Sequence, residues 1–363
     1  MIKNEDYLLA LHSITGLGPI RLKTLLDYFQ DPQLAWDASA TKLSQIGIPK
    51  NIVELLIRTR KTIDPEKYLE SIQKSGISWV TIFDKDYPKL LKEIYDPPIV
   101  LYFKGKFQVN NEKTLAIVGT RKVTGYGKVI TEKFARDLAG FGVTIVSGLA
   151  RGVDSVAHEV AVRENGKTLA VLGGGLNKIF PPDNTDLARE IANGFGAVIS
   201  EFPPDYPPFP GNFPARNRII SGLSSGVLVT EAANGSGSLI TAKLALEQGR
   251  EVFAVPGSIF SELSQGPLEL IKQGARLVTE AEEIMEELGW NRIQNKELRI
   301  KNEMVLSGME QKILGQLSAG SQHIDEVCRE LQLSAALVSS SLVKMEIQGL
   351  VKNLGGGNFV KIC

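Results

Sequence analysis

Apolar positions in the first hundred residues fall at helical spacing, in stretches 7–11, 22–29 and 52–57, and predict a helical opening segment. A proline-marked stretch follows at 86–105, containing Tyr87-Pro88 and Asp96-Pro97-Pro98, and reads as a connector. From residue 112 the pattern changes. Short β-branched runs at 115–118, 143–146, 169–172, 197–200, 227–230 and 252–255 alternate with helical stretches such as 126–140, 153–164 and 239–248. Strands separated by crossover helices predict a parallel sheet, so the fold class is α/β, doubly wound. The C-terminal stretch differs again: three short helical patterns precede two apolar runs flanking Gly355, Gly356 and Gly357, the outline of a winged helix. The expected organisation is a helical domain at 1–78, a connector at 79–111, the α/β domain at 112–288, a linker at 289–305 and a winged helix at 306–363.

Composition narrows the class without deciding the function. The chain has 363 residues, 43% hydrophobic and 23% charged, ample material for packed cores in two or three domains. Its longest uncharged stretches, 138–150 and 219–230, fall short of the roughly 20 residues a membrane helix needs. Glu5 and Asp6 stand where a secretory signal would begin its apolar core. Cys328 and Cys363 are too few for a structural zinc site or a disulfide framework. A cytoplasmic protein without metal or cofactor is expected. Lys and Arg total 41, as do Asp and Glu, so the net charge is zero, with +2 on residues 1–111, −4 on 112–288 and +2 on 289–363. No general field attracts a polyanion here; a local cluster of cations would have to hold one.

Ligands of open α/β sheets sit at the carboxyl ends of the strands, so the residues that follow each strand carry the chemistry. The first strand runs into Gly119-Thr120-Arg121, the second into Ser147-Gly148, and the third into Gly173-Gly174-Gly175 followed by Lys178 and Phe180. After the fourth comes Phe213-Pro214-Ala215-Arg216-Asn217-Arg218, and after the fifth Glu231 and Gly235-Ser236-Gly237-Ser238. Glycines let backbone N–H groups approach a ligand, and a helix N-terminus attracts phosphate. Arg121, Arg216 and Arg218 offer forked donors, Lys122, Lys178 and Lys243 point charges, and Phe180, Phe209 and Phe213 flat surfaces for bases. Taken singly, each loop reads as a tight connection, and Arg216 and Arg218 as structural cations buried against Glu201 and Glu231. Together the loops point to an anion site at one sheet edge.

A dinucleotide is disfavoured, because the first strand lacks G-x-G-x-x-G, and the absence of the P-loop signature excludes a P-loop NTPase. Only three histidines occur, His12, His158 and His323, none with an evident nucleophile or metal partner; His158 and Asp154 share a helix face as a structural pair. A nucleotide hydrolase using Glu231 as acid–base group stays open as an alternative. A third reading is a winged-helix transcription regulator.

The runs Ala116–Arg121, Ser147–Asp154 with His158, Phe213–Leu223, Gly235–Ala242 and Val255-Pro256-Gly257 closely resemble the DNA-processing protein A (DprA, or Smf) family. The resemblance implies an extended Rossmann-like fold that binds single-stranded DNA, forms a homodimer and loads the RecA recombinase during natural transformation, with no enzymatic step. It places Arg121 on the DNA backbone, Arg216 and Arg218 in a basic pocket and Phe180 on a base; with the strand-end loops the expected DNA-binding set is Gly119, Thr120, Arg121, Lys178, Phe180, Arg216, Asn217, Arg218, Gly235, Ser236, Gly237, Ser238 and Lys243. Pro182 stands where some relatives carry a lysine, so Lys178 is expected to supply that cation. The segment Ile14-Thr15-Gly16-Leu17-Gly18-Pro19 resembles a helix-hairpin-helix (a SAM-like module), and 46–50 a weaker second copy. In the winged helix the would-be recognition helix, 334–348, carries Lys344 balanced by Glu346, too little cation for reading a major groove. Cys328 is expected to be buried and Cys363 to be a free terminal thiol.

Overall fold

Prolines and capping carboxylates set the starts of the N-terminal helices. Gly18-Pro19 opens helix Pro19–Phe29. Asp31 accepts from the backbone N–H groups of Gln33 and Leu34 at the start of Pro32–Asp37, and Asp64 accepts from Lys67 at the start of Pro65–Lys74. Proline at the first helical position lacks only an N–H that has no helical partner, and the carboxylates satisfy two or three that do not. The computed structural model describes residues 4–107, 113–290, 308–347 and 349–362. Contacts divide the chain into two units, one holding the N-terminal helices and the large sheet, the other the C-terminal helices and a small sheet.

The large sheet has nine strands: β1 (Ser78–Thr81), β2 (Val100–Gly105), β3 (Thr114–Val118), β4 (Thr144–Ser147), β5 (Thr168–Leu172), β6 (Gly196–Ser200), β7 (Gly226–Val229), β8 (Glu251–Ala254) and β9 (Arg276–Leu277). Their spatial order is β1-β2-β6-β5-β4-β3-β7-β8-β9. All six runs expected to be strands pair in parallel, and β3 and β5 are buried at every position, as a sheet covered on both faces requires. The central strand β3 pairs with β4 on one side and β7 on the other. Successive crossovers therefore run outward in opposite directions from β3, opening a crevice at the carboxyl ends of β3 and β7.

Residues 79–107 of the stretch expected as a connector carry sheet strands. β1 pairs antiparallel with β2, and β2 antiparallel with β6, extending the sheet by two strands. Prolines mark only the loop between them. This edge carries Ile99, Val100 and Tyr102 into the same core as Leu8, Leu11, Leu22, Leu25 and Leu56 of the helices. Because they share that core, the N-terminal helices are a layer of the first unit rather than a separate domain ending at residue 78. His12 Nδ1 lies 3.2 Å from the Tyr102 hydroxyl across this contact.

The second unit is the expected winged helix. Helices Gly308–Gln316, Ile324–Leu331 and Ala335–Ile347 pack on a three-stranded sheet, order β10-β12-β11, of β10 (Gln322–His323), β11 (Val351–Gly355) and β12 (Asn358–Lys361). Ile313, Val327, Leu342, Met345, Val351 and Phe359 form its core. Lys344 does not pair with Glu346: it reaches Glu310 at 2.8 Å, and Glu346 accepts from the backbone N–H of Asn353. Leu337 and Val343 are exposed on the same helix. Cys328 is half-buried and free, not fully buried. Residues 291–305 of the expected linker at 289–305, and the Cys363 thiol, lie outside the described residues.

Candidate nucleic-acid interface

Hydrogen bonds lace the strand-end loops into one rim. The Thr120 N–H donates to the Glu231 carbonyl at 2.7 Å, joining the loops after β3 and β7. The Val153 N–H donates to the Thr120 carbonyl at 3.1 Å, adding the loop after β4. Asp154 accepts from the N–H groups of Gly148 and Ala150 and so staples its own loop, while His158 Nδ1 meets the Thr168 hydroxyl, so these bonds are not the expected pairing of His158 with Asp154. From the helix Asn212–Gly222, Asn212 donates to the Gly173 carbonyl and Asn217 to the Gly237 carbonyl, at 3.0 and 3.1 Å. Convergence of the loops, which the sequence only suggested, is thus built by named bonds.

Not every expected contact residue reaches the surface. Arg216 is 4% exposed; its Nη1 donates to the carbonyls of Gly148, at 2.6 Å, and of Val171. A Cβ at Gly148 would sit 2.6 Å from the Arg216 guanidinium, so this glycine makes room for an arginine and not for a ligand. Burial pulls Arg216 down to about 10, while Asp154 pulls it up and Arg121 pushes it down. Arg218 is 8% exposed, with Nη2 at 2.5 and 2.6 Å from the two Glu201 oxygens and Nε 3.1 Å from Asp96. Both arginines are structural cations in this arrangement, contrary to their expected place on phosphate. Transferring a guanidinium from water into a low-dielectric interior requires partners, and here carbonyls and carboxylates supply them. Of the two proposed carboxylate partners, Glu201 is the observed one for Arg218. Asp96, from the proline-marked stretch, is the one sequence reasoning missed; no local pattern ties it to residue 218.

Arg121, Lys122, Lys178 and Lys243 are exposed. The Arg121 guanidinium stands over the Phe213 ring at 5.7 Å, within cation–π reach. Phe180, 45% exposed, lies 5.6 Å from Phe213. Phe213 therefore couples two candidate residues that are 59 positions apart in sequence. Lys243 pairs loosely with Glu247 at 3.8 Å. Ser236 caps helix Gly237–Glu247 by accepting from the Ser238 N–H, and the two hydroxyls bond each other at 2.8 Å. Gly119 is packed against Val153 and the Glu231 carbonyl, and the Thr120 hydroxyl accepts from the Lys122 N–H. At Gly235, with φ +75°, and at Gly237, nothing stands where a Cβ would be, so the backbone is open to approach at these two glycines, whereas the Ser236 and Ser238 N–H groups already donate to the Ala233 carbonyl and the Ser236 hydroxyl. Glu231 is buried. Among the described residues no cluster of His, Cys, Asp or Glu could hold a metal ion, and no helix is long and apolar enough to cross a membrane.

The sequence pattern of the family described as DNA recombination-mediator protein A matches residues 78–289, and that of the DprA winged helix domain residues 301–357. The first match begins at β1, so the two antiparallel strands belong to it. Protein Smf of Synechocystis is 42% identical over 290 residues, covering 78% of this chain and 73% of that one. The DNA processing protein DprA of Bacillus subtilis is 45% identical over 232 residues, 64% of this chain and 78% of its own. Among solved structures, DprA of Streptococcus pneumoniae superposes with a TM-score of 0.69 at 36% identity, over 79% of this chain and 98% of that one. DprA of Helicobacter pylori, described for its unique mode of binding single-stranded DNA, gives 0.53 at 33% identity, over 59% and 96%. On the segments matched at 78–289 and 301–357 and the shared sheet, this chain belongs to the DNA-processing protein A (DprA/Smf) family.

Proposed function

We propose that this chain binds single-stranded DNA at the rim formed by the loops after β3, β5 and β7, and delivers it to the RecA recombinase during DNA uptake, acting as a cytoplasmic homodimer without a catalytic step. The observation that carries the binding reading is the Arg121–Phe213–Phe180 cluster: an exposed forked cation for phosphate and an exposed ring for a base, joined through half-buried Phe213. Lys178, Lys243 and the open backbone at Gly235 and Gly237 extend the same rim. Base stacking contributes about 1–3 kcal/mol per base and accepts any sequence. The relative from Helicobacter pylori, described as binding single-stranded DNA, supports the same ligand. The net charge of −4 on residues 112–288 fits a mode built from a few oriented groups rather than a general field. Against a nucleotide hydrolase stands the burial of Glu231 among the strand ends, where a general acid–base group would have to meet substrate.

Arg121→Ala is expected to weaken binding of a 20-nucleotide oligo-dT about tenfold at 100 mM salt, and to lower the log–log salt slope by roughly 0.7, the value of one phosphate contact on a single strand. Fluorescence anisotropy across a salt series reads both, and unchanged affinity and slope would refute the assignment. The delivery step has its own readout. With single-stranded DNA covered by a strand-binding protein, substoichiometric amounts of this chain should shorten the lag before RecA begins to hydrolyse ATP.

A further inference from the structure

We infer that a cavity between the N-terminal hairpin and the loop after β6 receives one base of the bound single strand, held as a neutral planar heterocycle. This rests on the strand-binding reading above. The cavity encloses about 480 Å³, and its lining is mostly apolar. Ile14, Leu17 and Ile20 of the hairpin form one wall, and Phe202 and Tyr206 the other. The Phe202 and Tyr206 rings stack at 5.1 Å with 22° between their planes. Asp96, Glu201 and Arg218 line it as well, and they set what it accepts.

Two carboxylates already surround the Arg218 guanidinium, so a phosphate entering here would meet as much negative as positive charge. Arg21, the other lining arginine, has Nη1 on the Gly16 carbonyl at 2.8 Å, holding the hairpin closed. A neutral ligand that both donates and accepts fits better. Arg218 Nη1 is a buried donor with no hydrogen-bond partner, so the guanidinium at this cavity keeps a bonding capacity that its own neighbours leave unfilled. An apolar lining with an aromatic pair and a few polar groups matches a nucleobase, whose faces stack and whose edge bonds.

Continuity with the rim identifies the source of that base. Phe213, which carries the Arg121 guanidinium on its ring, and Asn212 and Ala215, which line the cavity, belong to the first turn of one helix. Between the two sites the proline-rich loop presents Phe209, 52% exposed and 5.9 Å from Tyr206. The rim rings, Phe180 with Phe213, and the cavity rings, Phe202 with Tyr206 and Phe209, form two groups joined through one stretch of chain, 206–213. A strand seated on the rim can follow them and insert a base a few nucleotides on.

The test uses the full chain and oligo-dT strands carrying one 2-aminopurine, moved through every position, with free 2-aminopurine deoxyriboside as a parallel probe. One position is expected to be strongly quenched on binding. Tyr206→Leu should release that quench by at least half and weaken strand binding about fivefold, whereas Arg121→Ala should leave the quench intact at saturating protein. Ile20→Glu provides a second variant at a site 62% exposed, where folding is not at stake, and should release the same position by placing a carboxylate at the mouth. A quench profile unchanged in both Tyr206→Leu and Ile20→Glu overturns the inference. Saturable micromolar quenching of the free deoxyriboside, with a flat profile along the strand, also overturns it by assigning the cavity to a free nucleoside. A strand that fails to bind the wild-type protein in anisotropy refutes the function proposed above, whereas a bound strand with a flat profile refutes only the base site.

Discussion

Glu201→Leu is expected to destabilise the protein by about 3–5 kcal/mol, the cost of leaving a buried charge without its partner. The Arg218 guanidinium is 8% exposed and has Glu201 on Nη2 and Asp96 on Nε. Removing the carboxylate that takes Nη2 leaves the cation beside Asp96 alone, at a distance of 3.1 Å. Burial pushes the Glu201 carboxyl above the usual range while Arg218 pulls it down, so the pair works against a desolvation cost that only mutual contact offsets. The double variant Glu201→Leu with Arg218→Met should recover most of the loss, because two apolar groups of similar size need no partner. Urea denaturation of the four proteins reads the coupling. If Arg218 were instead a phosphate ligand, Arg218→Met alone would lower the log–log salt slope of oligonucleotide binding by roughly 0.7 and leave the denaturation midpoint in place. The expected result is the reverse: a lower midpoint, with the salt slope kept in the folded fraction.

The second large effect is a loss of stability on mild acidification that traces to His158. Its side chain is fully buried, with Nδ1 2.7 Å from the Thr168 hydroxyl. Burial first, and then the Arg216 charge, push it from 6.5 down to about 3. Because the folded value is the lower one, the unfolded chain binds the extra proton below about 6.5, and stability falls as pH falls through that window. From pH 7 to pH 5 the histidine alone removes about 2 kcal/mol. Buried Asp154 and Glu201 are shifted upward and act in the opposite sense, since there the folded state holds the proton longer. The measurement is therefore a difference: the unfolding free energy of wild type minus that of His158→Asn, at pH 7 and at pH 5. The difference should shrink by about 2 kcal/mol between the two; a constant difference would place His158 in a polar, wetter setting than the fold shows.

Much of the fold was legible in the sequence because buried parallel strands write themselves as short apolar runs. All six such runs became strands, and the glycine-flanked hairpin and three helices of the C-terminal unit followed the same logic. β1 and β2 were not legible. An antiparallel edge strand gives a weak alternation, and the prolines near β2 belong to the loop before it and masked its pattern. The shared core of helices and sheet was equally hidden, since Tyr102 and Leu8 meet only in three dimensions.

For the candidate site the division runs through a single hexapeptide, Phe213 to Arg218. Residue types alone announced anion chemistry at the strand ends, because glycines, serines and arginines recur after one strand after another. They could not say which way a side chain points on a helix. One turn of Asn212–Gly222 buries Arg216 and Arg218 beneath the rim, while its start holds Phe213 under the exposed Arg121. The sequence by itself determined the α/β class, the family and the edge of the sheet where chemistry gathers, since periodicity and local turn residues are encoded within a few positions. Only the tertiary structure decided which arginines are structural and which face solvent: burial of a charge depends on partners such as Asp96 and Glu201, and those lie far away along the chain.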